Sequence, residues 1–162
     1  MDLNLQGKTA VMTGSTGGIG FAIARRLSLE GADVVISARH GDRVETALDN
    51  IRAPGGTARG VIADAATAPG AELPIAKAGQ VDILVNCLGI YANAAFGDIT
   101  DEDWLRFFDA NIMSGVRLTR LVFPGMMHRN DGRVIFISSE VALAIPSDMI
   151  HYAMTKAAQH IL

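Results

Sequence analysis

Near the end of the chain Tyr152 and Lys156 stand four residues apart, a spacing that puts both side chains on one face of a helix. A phenol beside an ammonium is a proton-transfer pair. A free phenol titrates near about 10, too high for efficient acid–base work at neutral pH, and a neighbouring cation favours the phenolate. Such a pair can give a proton to a carbonyl oxygen or take one from an alcohol. Ser139 precedes Tyr152 by thirteen residues, and its hydroxyl could hydrogen-bond the same oxygen as charge develops there. Asn111 lies further upstream, among aromatic residues. Each has a plain alternative when taken singly: a partly exposed helix face for Tyr152 and Lys156, a cap or turn for Ser139, a satisfied buried amide for Asn111.

A second constellation stands at the other end. Thr13-Gly14-Ser15-Thr16-Gly17-Gly18-Ile19-Gly20 follows a short apolar run. Its spacing is not G-x-G-x-x-G, yet its physics is the same. Small residues let the backbone turn sharply and approach a pyrophosphate, whose charge meets the N-terminus of the next helix. The alternative is a glycine-rich turn with no ligand.

The hydrophobic pattern shows what must position these groups. Thr9-Ala10-Val11-Met12 predicts a buried strand, and Ile19, Ile23 and Leu27 at four-residue spacing predict a helix ending near Gly31. Val34-Val35-Ile36 predicts a second strand. Val44, Leu48 and Ile51 mark a helical face that Pro54-Gly55-Gly56 breaks. A weaker strand spans Ala58 to Ala63, only a short helix fits between Ala65 and Gly79, and Val81 to Val85 is another buried strand. Thr100 with Asp103 resembles a capping box, opening a long helix through Trp104, Phe107, Phe108, Ile112 and Val116 toward Met127, with Pro124 expected to end or kink it. Arg133 to Ile137 is a fifth strand, and a last helix begins near Ser147 or His151. Strands alternating with helices predict an α/β fold: one doubly wound, Rossmann-like domain over residues 1–162, with ligands beyond the carboxyl ends of a parallel sheet.

Taken in order, these motifs resemble the short-chain dehydrogenase/reductase family. T-G-x-x-x-G-x-G at Thr13 to Gly20 is similar to its cofactor signature, Asn86-Cys87-Leu88-Gly89 stands where the family has N-N-A-G, and Tyr152-Ala153-Met154-Thr155-Lys156 matches Y-x-x-x-K. The thirteen-residue interval to Tyr152 is the family's, which favours Ser139 over Ser138. The resemblance implies hydride transfer between NAD(P)H and a small-molecule carbonyl or alcohol, with Asn111, Ser139, Tyr152 and Lys156 catalytic. It further implies that Lys156 grips the nicotinamide ribose and that Asn111 holds a water completing a proton relay. Cofactor contacts would come from Gly14, Ser15, Thr16, Gly18, Ile19 and Gly20, from Arg39, from Asp64 and Ala65, from Asn86 and Gly89, and from Tyr152 and Lys156. Asp64 is placed against the adenine ring. Ser37-Ala38-Arg39-His40 carries no acid to hold both ribose hydroxyls of NAD, and Arg39 could pair with a 2′-phosphate or remain a solvated arginine. NADP(H) is therefore favoured, with NAD(H) possible. Gly17 occupies the place where NADP-preferring relatives often carry a second basic residue. Family members continue through at least two further strands and a mobile segment over the substrate, so those C-terminal strands are expected to be missing here and the fifth strand to be an exposed edge. Relatives use their long helices to form dimers and tetramers, which implies a homodimer or homotetramer.

The totals exclude other classes. Hydrophobic residues make up 49% of the chain and charged ones 19%, too apolar for disorder. A net charge of −3 without a basic cluster argues against nucleic acid. One cysteine, Cys87, and no signal peptide or membrane-length apolar run point to a cytoplasmic protein. The four histidines show no ligand spacing, so no metal is expected. Glu140, directly after Ser139, either tunes the site or makes a loop contact. A cofactor-binding sensor or scaffold without turnover, or an inactive fragment, remain the competing readings.

Overall fold

The computed structural model describes residues 3–162. Five parallel strands form one sheet in the order β3-β2-β1-β4-β5: β1 (Thr9–Thr13), β2 (Asp33–Ala38), β3 (Thr57–Ile62), β4 (Ile83–Asn86) and β5 (Arg133–Phe136). Helices α1 (Gly18–Leu29), α2 (Gly41–Arg52), α3 (Ala68–Ala78), α4 (Asp101–Phe108), α5 (Ser114–Arg129) and α6 (Ile150–Ala158) connect or follow them. Strand order reverses between β1 and β4, so the connections leaving those two neighbours lead to helices on opposite faces of the sheet and leave a crevice at its carboxyl edge.

Alternation along the strands builds a core on each face. Ala10, Met12, Val34, Ile36 and Val85 join Val44, Leu48 and Ile51 of α2 on one side. Val11, Val35 and Leu84 meet Ala71 of α3 and Leu118, Val122 and Met126 of α5 on the other. β5 pairs with β4 alone and is an edge, with Ile135 43% exposed.

Several expectations shift. Helix α1 does not bury Ile19, which is 65% exposed; it buries Gly20, Ala24 and Ser28, with Ile23 and Leu27 only partly covered. Small residues on that face let the helix axis approach the sheet, so close packing wins over large apolar area. The stretch after Ala65 forms an eleven-residue α3, longer than expected, because the Thr67 hydroxyl caps it by accepting from Gly70 N and its internal Pro74 is accommodated. β4 begins at Ile83 rather than Val81, because Asp82 turns its carboxylate to accept from Thr9 N at 2.9 Å. Thr100 caps α4 by accepting from Asp103 N at 3.1 Å, but Asp103 bonds the Thr100 hydroxyl and Arg106 instead of completing a capping box. The expected long helix exists as α4, a π-helical stretch Asp109–Met113, and α5; Pro124 lies inside α5 and does not end it. Helix α6 starts at Ile150.

Candidate active site

The crevice has a half made largely of backbone. After β1 the chain turns at Gly14, whose φ of +60° suits glycine, and a Cβ there would lie 3.0 Å from the Cys87 carbonyl oxygen and the Leu88 Cα. The loops after β1 and β4 therefore touch. Thr13 Oγ1 ties them further, accepting from Cys87 N at 3.3 Å and Leu88 N at 3.2 Å. A Cβ on Gly20 would overlap the Gly14 carbonyl oxygen, which fixes how closely α1 follows the turn. Gly17 caps α1 without a side-chain hydrogen bond, so the first amides of that helix have no side-chain partner at this end.

Gly14, Thr16, Ala38, Arg39, Ala65 and Gly89 border a cleft of about 290 Å³. Gly18, with φ +54°, and exposed Ile19 begin α1 beside it. Ser15 lies in the same turn, but its buried hydroxyl donates to Met12 O at 2.9 Å and accepts from Ser37 N at 3.2 Å. Its side chain joins β1 to β2, leaving only backbone for a ligand. Asp64 borders an adjoining cleft of about 310 Å³ together with Arg39 and Gly89, and its Oδ1 accepts from Ala66 N at 3.1 Å. Asn86, buried at the end of β4, has no partner for either amide atom among the described residues.

Sequence reasoning missed Arg43. It lines the 290 Å³ cleft with Arg39, and neither arginine has an acidic partner among the described residues. The available signal was its place in the first turn of α2, four residues beyond Arg39 and directly after the end of β2.

The other half is made of buried side chains. Lys156 is 5% exposed, and its ammonium donates to Ile137 O at 2.7 Å and to Gln159 Oε1 at 3.2 Å. Burial pushes this ammonium below the usual lysine range, with Cys87 acting in the opposite direction; burial pushes the Cys87 thiol up. The Lys156 nitrogen lies 5.7 Å from the centre of the half-buried Tyr152 ring. Asn111, 1% exposed in the π-helical stretch, accepts from Ile90 N at 2.7 Å and donates to Ile90 O and to Thr155 Oγ1, each at 2.9 Å. Its main-chain carbonyl accepts from Gln159 Nε2 at 2.7 Å. That bond, invisible to motif reading, places a side-chain amide beside the group for which a water was expected.

Ser138 donates to Lys156 O at 3.0 Å, fastening α6 to the end of β5. Ser139 only accepts, from Val141 N at 3.4 Å, so its hydroxyl proton stays uncommitted. Glu140 is exposed at the start of the next short turn. Tyr91 is 74% exposed, with its ring 6.2 Å from that of Tyr152. Gly89 joins the two halves: it borders both clefts, and a Cβ on it would lie 3.4 Å from Asn111 Oδ1 and 3.6 Å from Lys156 Nζ.

Residues 8–162 match the family model described as short chain dehydrogenase. An uncharacterized oxidoreductase of Bacillus subtilis is 47% identical over 163 residues, which cover 98% of this chain and 61% of the relative. The structure of L-sorbose reductase from Gluconobacter frateurii, complexed with NADPH and L-sorbose, superposes with a TM-score of 0.94 at 36% identity, covering 99% of this chain and 63% of that one. A 7α-hydroxysteroid dehydrogenase complexed with NADH and 7-oxo glycochenodeoxycholic acid gives 0.90 at 34% identity, covering 99% and 65%. The chain thus spans about three fifths of the length of the curated relatives it matches.

Proposed function

Because this chain belongs to the short-chain dehydrogenase/reductase family, we propose that it forms the cofactor-binding and catalytic part of an oxidoreductase acting between NADPH and a carbonyl or secondary alcohol. The observation that carries this reading is the junction at Gly89, where the open cleft meets the buried Asn111 and Lys156.

The cleft fits a dinucleotide. Its glycines leave no room for a Cβ between the β1 and β4 loops, and, among the described residues, Asn86 offers a buried amide with no partner and Arg39 and Arg43 two cations with no acidic partner. Gly14, Thr16, Gly18, Ile19, Gly20 and the backbone of Ser15 would hold the pyrophosphate, Asp64 and Ala65 the adenine side, and Gly89, Tyr152 and Lys156 the nicotinamide side. Bound nicotinamide supplies or accepts the hydride. Tyr152 gives the substrate oxygen its proton in reduction and takes it back in oxidation. Ser139 donates its uncommitted hydroxyl proton to that oxygen. Lys156, with two of its three protons fixed, keeps positive charge beside the phenol. Asn111 locks the loop after β4 onto α6 through Ile90 and Thr155.

Arg39 and Arg43 support NADPH over NADH, since a 2′-phosphate would pair with guanidinium groups that lack acidic partners here. Exposed Leu105 and Phe108 on α4, and Leu121, Phe123 and Met127 on α5, support a homodimer or homotetramer, for which light scattering reads the mass. The single cysteine fits a cytoplasmic setting. A parallel fluorescence titration with NADPH and NADH tests the core of the proposal. Micromolar binding that favours NADPH is expected. Preference for NADH overturns the cofactor choice, and binding of neither overturns the proposal for this chain.

A further inference from the structure

We infer that Gln159 is a positioning residue of this site, its amide clamped between the Lys156 ammonium and the Asn111 main-chain carbonyl so that both are held in a fixed relation to Tyr152. The inference rests on the proposed function, since it concerns the same Tyr152 and Lys156.

Gln159 stands three residues beyond Lys156 and is 5% exposed. Tyr152, Lys156 and Gln159 follow i, i+4, i+7 spacing, so they share one face of α6 and its C-terminal cap. Both ends of the amide are used: Nε2 donates to Asn111 O at 2.7 Å, and Oε1 accepts from Lys156 Nζ at 3.2 Å. Lys156 can only donate and the Asn111 carbonyl can only accept, so a single amide orientation satisfies both. Asn111 lies in the π-helical stretch, where the backbone departs from the regular α-helical ladder, and its carbonyl accepts from Gln159 Nε2.

The clamp has two consequences. A buried ammonium is stabilised by every acceptor that replaces water, and Ile137 O and Gln159 Oε1 are the two acceptors that Lys156 has among the described residues. They fix two of its three protons and leave the third uncommitted, with the Tyr152 ring centre 5.7 Å from the nitrogen. Second, an amide held at both ends accepts from one neighbour and donates to the other without passing a proton between them. The link between Lys156 and Asn111 therefore orients the ammonium. It does not relay protons as a water would.

The chain has three lysines, Lys8, Lys77 and Lys156, so carbon-13 labelling at lysine Cε gives three resonances, and the one missing in Lys156→Met identifies the site. The titratable groups facing Lys156 are the Cys87 thiol and the Tyr152 phenol, and both stay in place in the variants. Gln159→Met keeps the volume and removes the acceptor; the Lys156 titration should move to lower pH by roughly half to one unit. Gln159→Glu places a carboxylate on the ammonium, and the titration should move to higher pH by a similar amount. Opposite shifts mark direct contact, because a packing defect moves both variants the same way. An unmoved resonance, or shifts of one sign, overturns the clamp. NADPH titration of the unsubstituted chain is run alongside: failure there counts against the proposed function, and the lysine titration needs no cofactor.

Discussion

The two halves of the crevice hold their shape by opposite means. Around Gly14 and Gly20 the site is defined by atoms that are missing, since absent Cβ atoms let the loops after β1 and β4 meet and let α1 start where it does. Around Lys156 it is defined by atoms that are present: a lysine, an asparagine and a glutamine, each 5% exposed or less, whose hydrogen bonds close on one another. The first half should be damaged by adding a methyl group and indifferent to charge-conserving changes. The second should be damaged by removing a polar atom that leaves its partner buried and unpaired. Geometry for a ligand backbone can be made from turns, whereas proton chemistry needs particular side chains kept out of water.

Substitutions can break or sharpen this contrast. The largest effect expected is for Tyr152→Phe, which should lower carbonyl reduction by about 10²–10⁴-fold while NADPH affinity changes little. NADPH consumption and a binding titration read the two separately, and surviving activity removes Tyr152 as the proton donor. Gly20→Ala should act in the reverse sense on binding, weakening NADPH at least tenfold and costing about 1–3 kcal/mol in denaturant unfolding, because its Cβ must displace the Gly14 carbonyl. Wild-type affinity in that variant would mean the loop yields without cost. Arg39→Ala and Arg43→Ala should each weaken NADPH by roughly three- to tenfold and leave NADH unchanged, a modest effect because both guanidinium groups are exposed. Equal losses for both cofactors would show that these arginines do not face a 2′-phosphate.

The smallest expected effect is on stability against pH. The folded Lys156 sits below its ordinary value of 10.5, so between the two values the unfolded chain binds more protons than the folded one. Stability should therefore rise with pH across that window, a penalty fully present below the folded value and gone above the unfolded one. Lys156→Met should flatten this segment of the curve. Parallel curves for parent and variant, from urea melts at several pH values, would remove buried charge as the feature that separates the two halves.

Much was legible in the residues because it is local. The alternation of Ala10, Val11 and Met12 and the β-branched run Val34-Val35-Ile36 dictate buried strands whatever follows them. The spacing of Tyr152 and Lys156 dictates a shared helix face, and a glycine-rich turn before a helix is its own signal. Errors arose where a residue type was weighed without its neighbour. Ile19 looked like core until α1 came close to the sheet on Gly20 and Ala24, and the hydroxyl of Ser15, singled out with the turn around it, is spent on Met12 O and Ser37 N within the fold.

By itself, then, the sequence determined the succession of strands and helices, the parallel character of the sheet and the two constellations at its ends, because turn chemistry and hydrophobic period act over a few residues. Only the tertiary structure decided which groups meet. Arg43 joins Arg39 because the end of β2 and the first turn of α2 border one cleft, and Gly89 meets Lys156 across 67 positions because the loop after β4 packs against α6. The amide of Gln159 finds a carbonyl 48 residues away because α6 packs against the π-helical stretch that carries it. These contacts are set by how helices lie across a sheet, and no spacing along the chain encodes that distance.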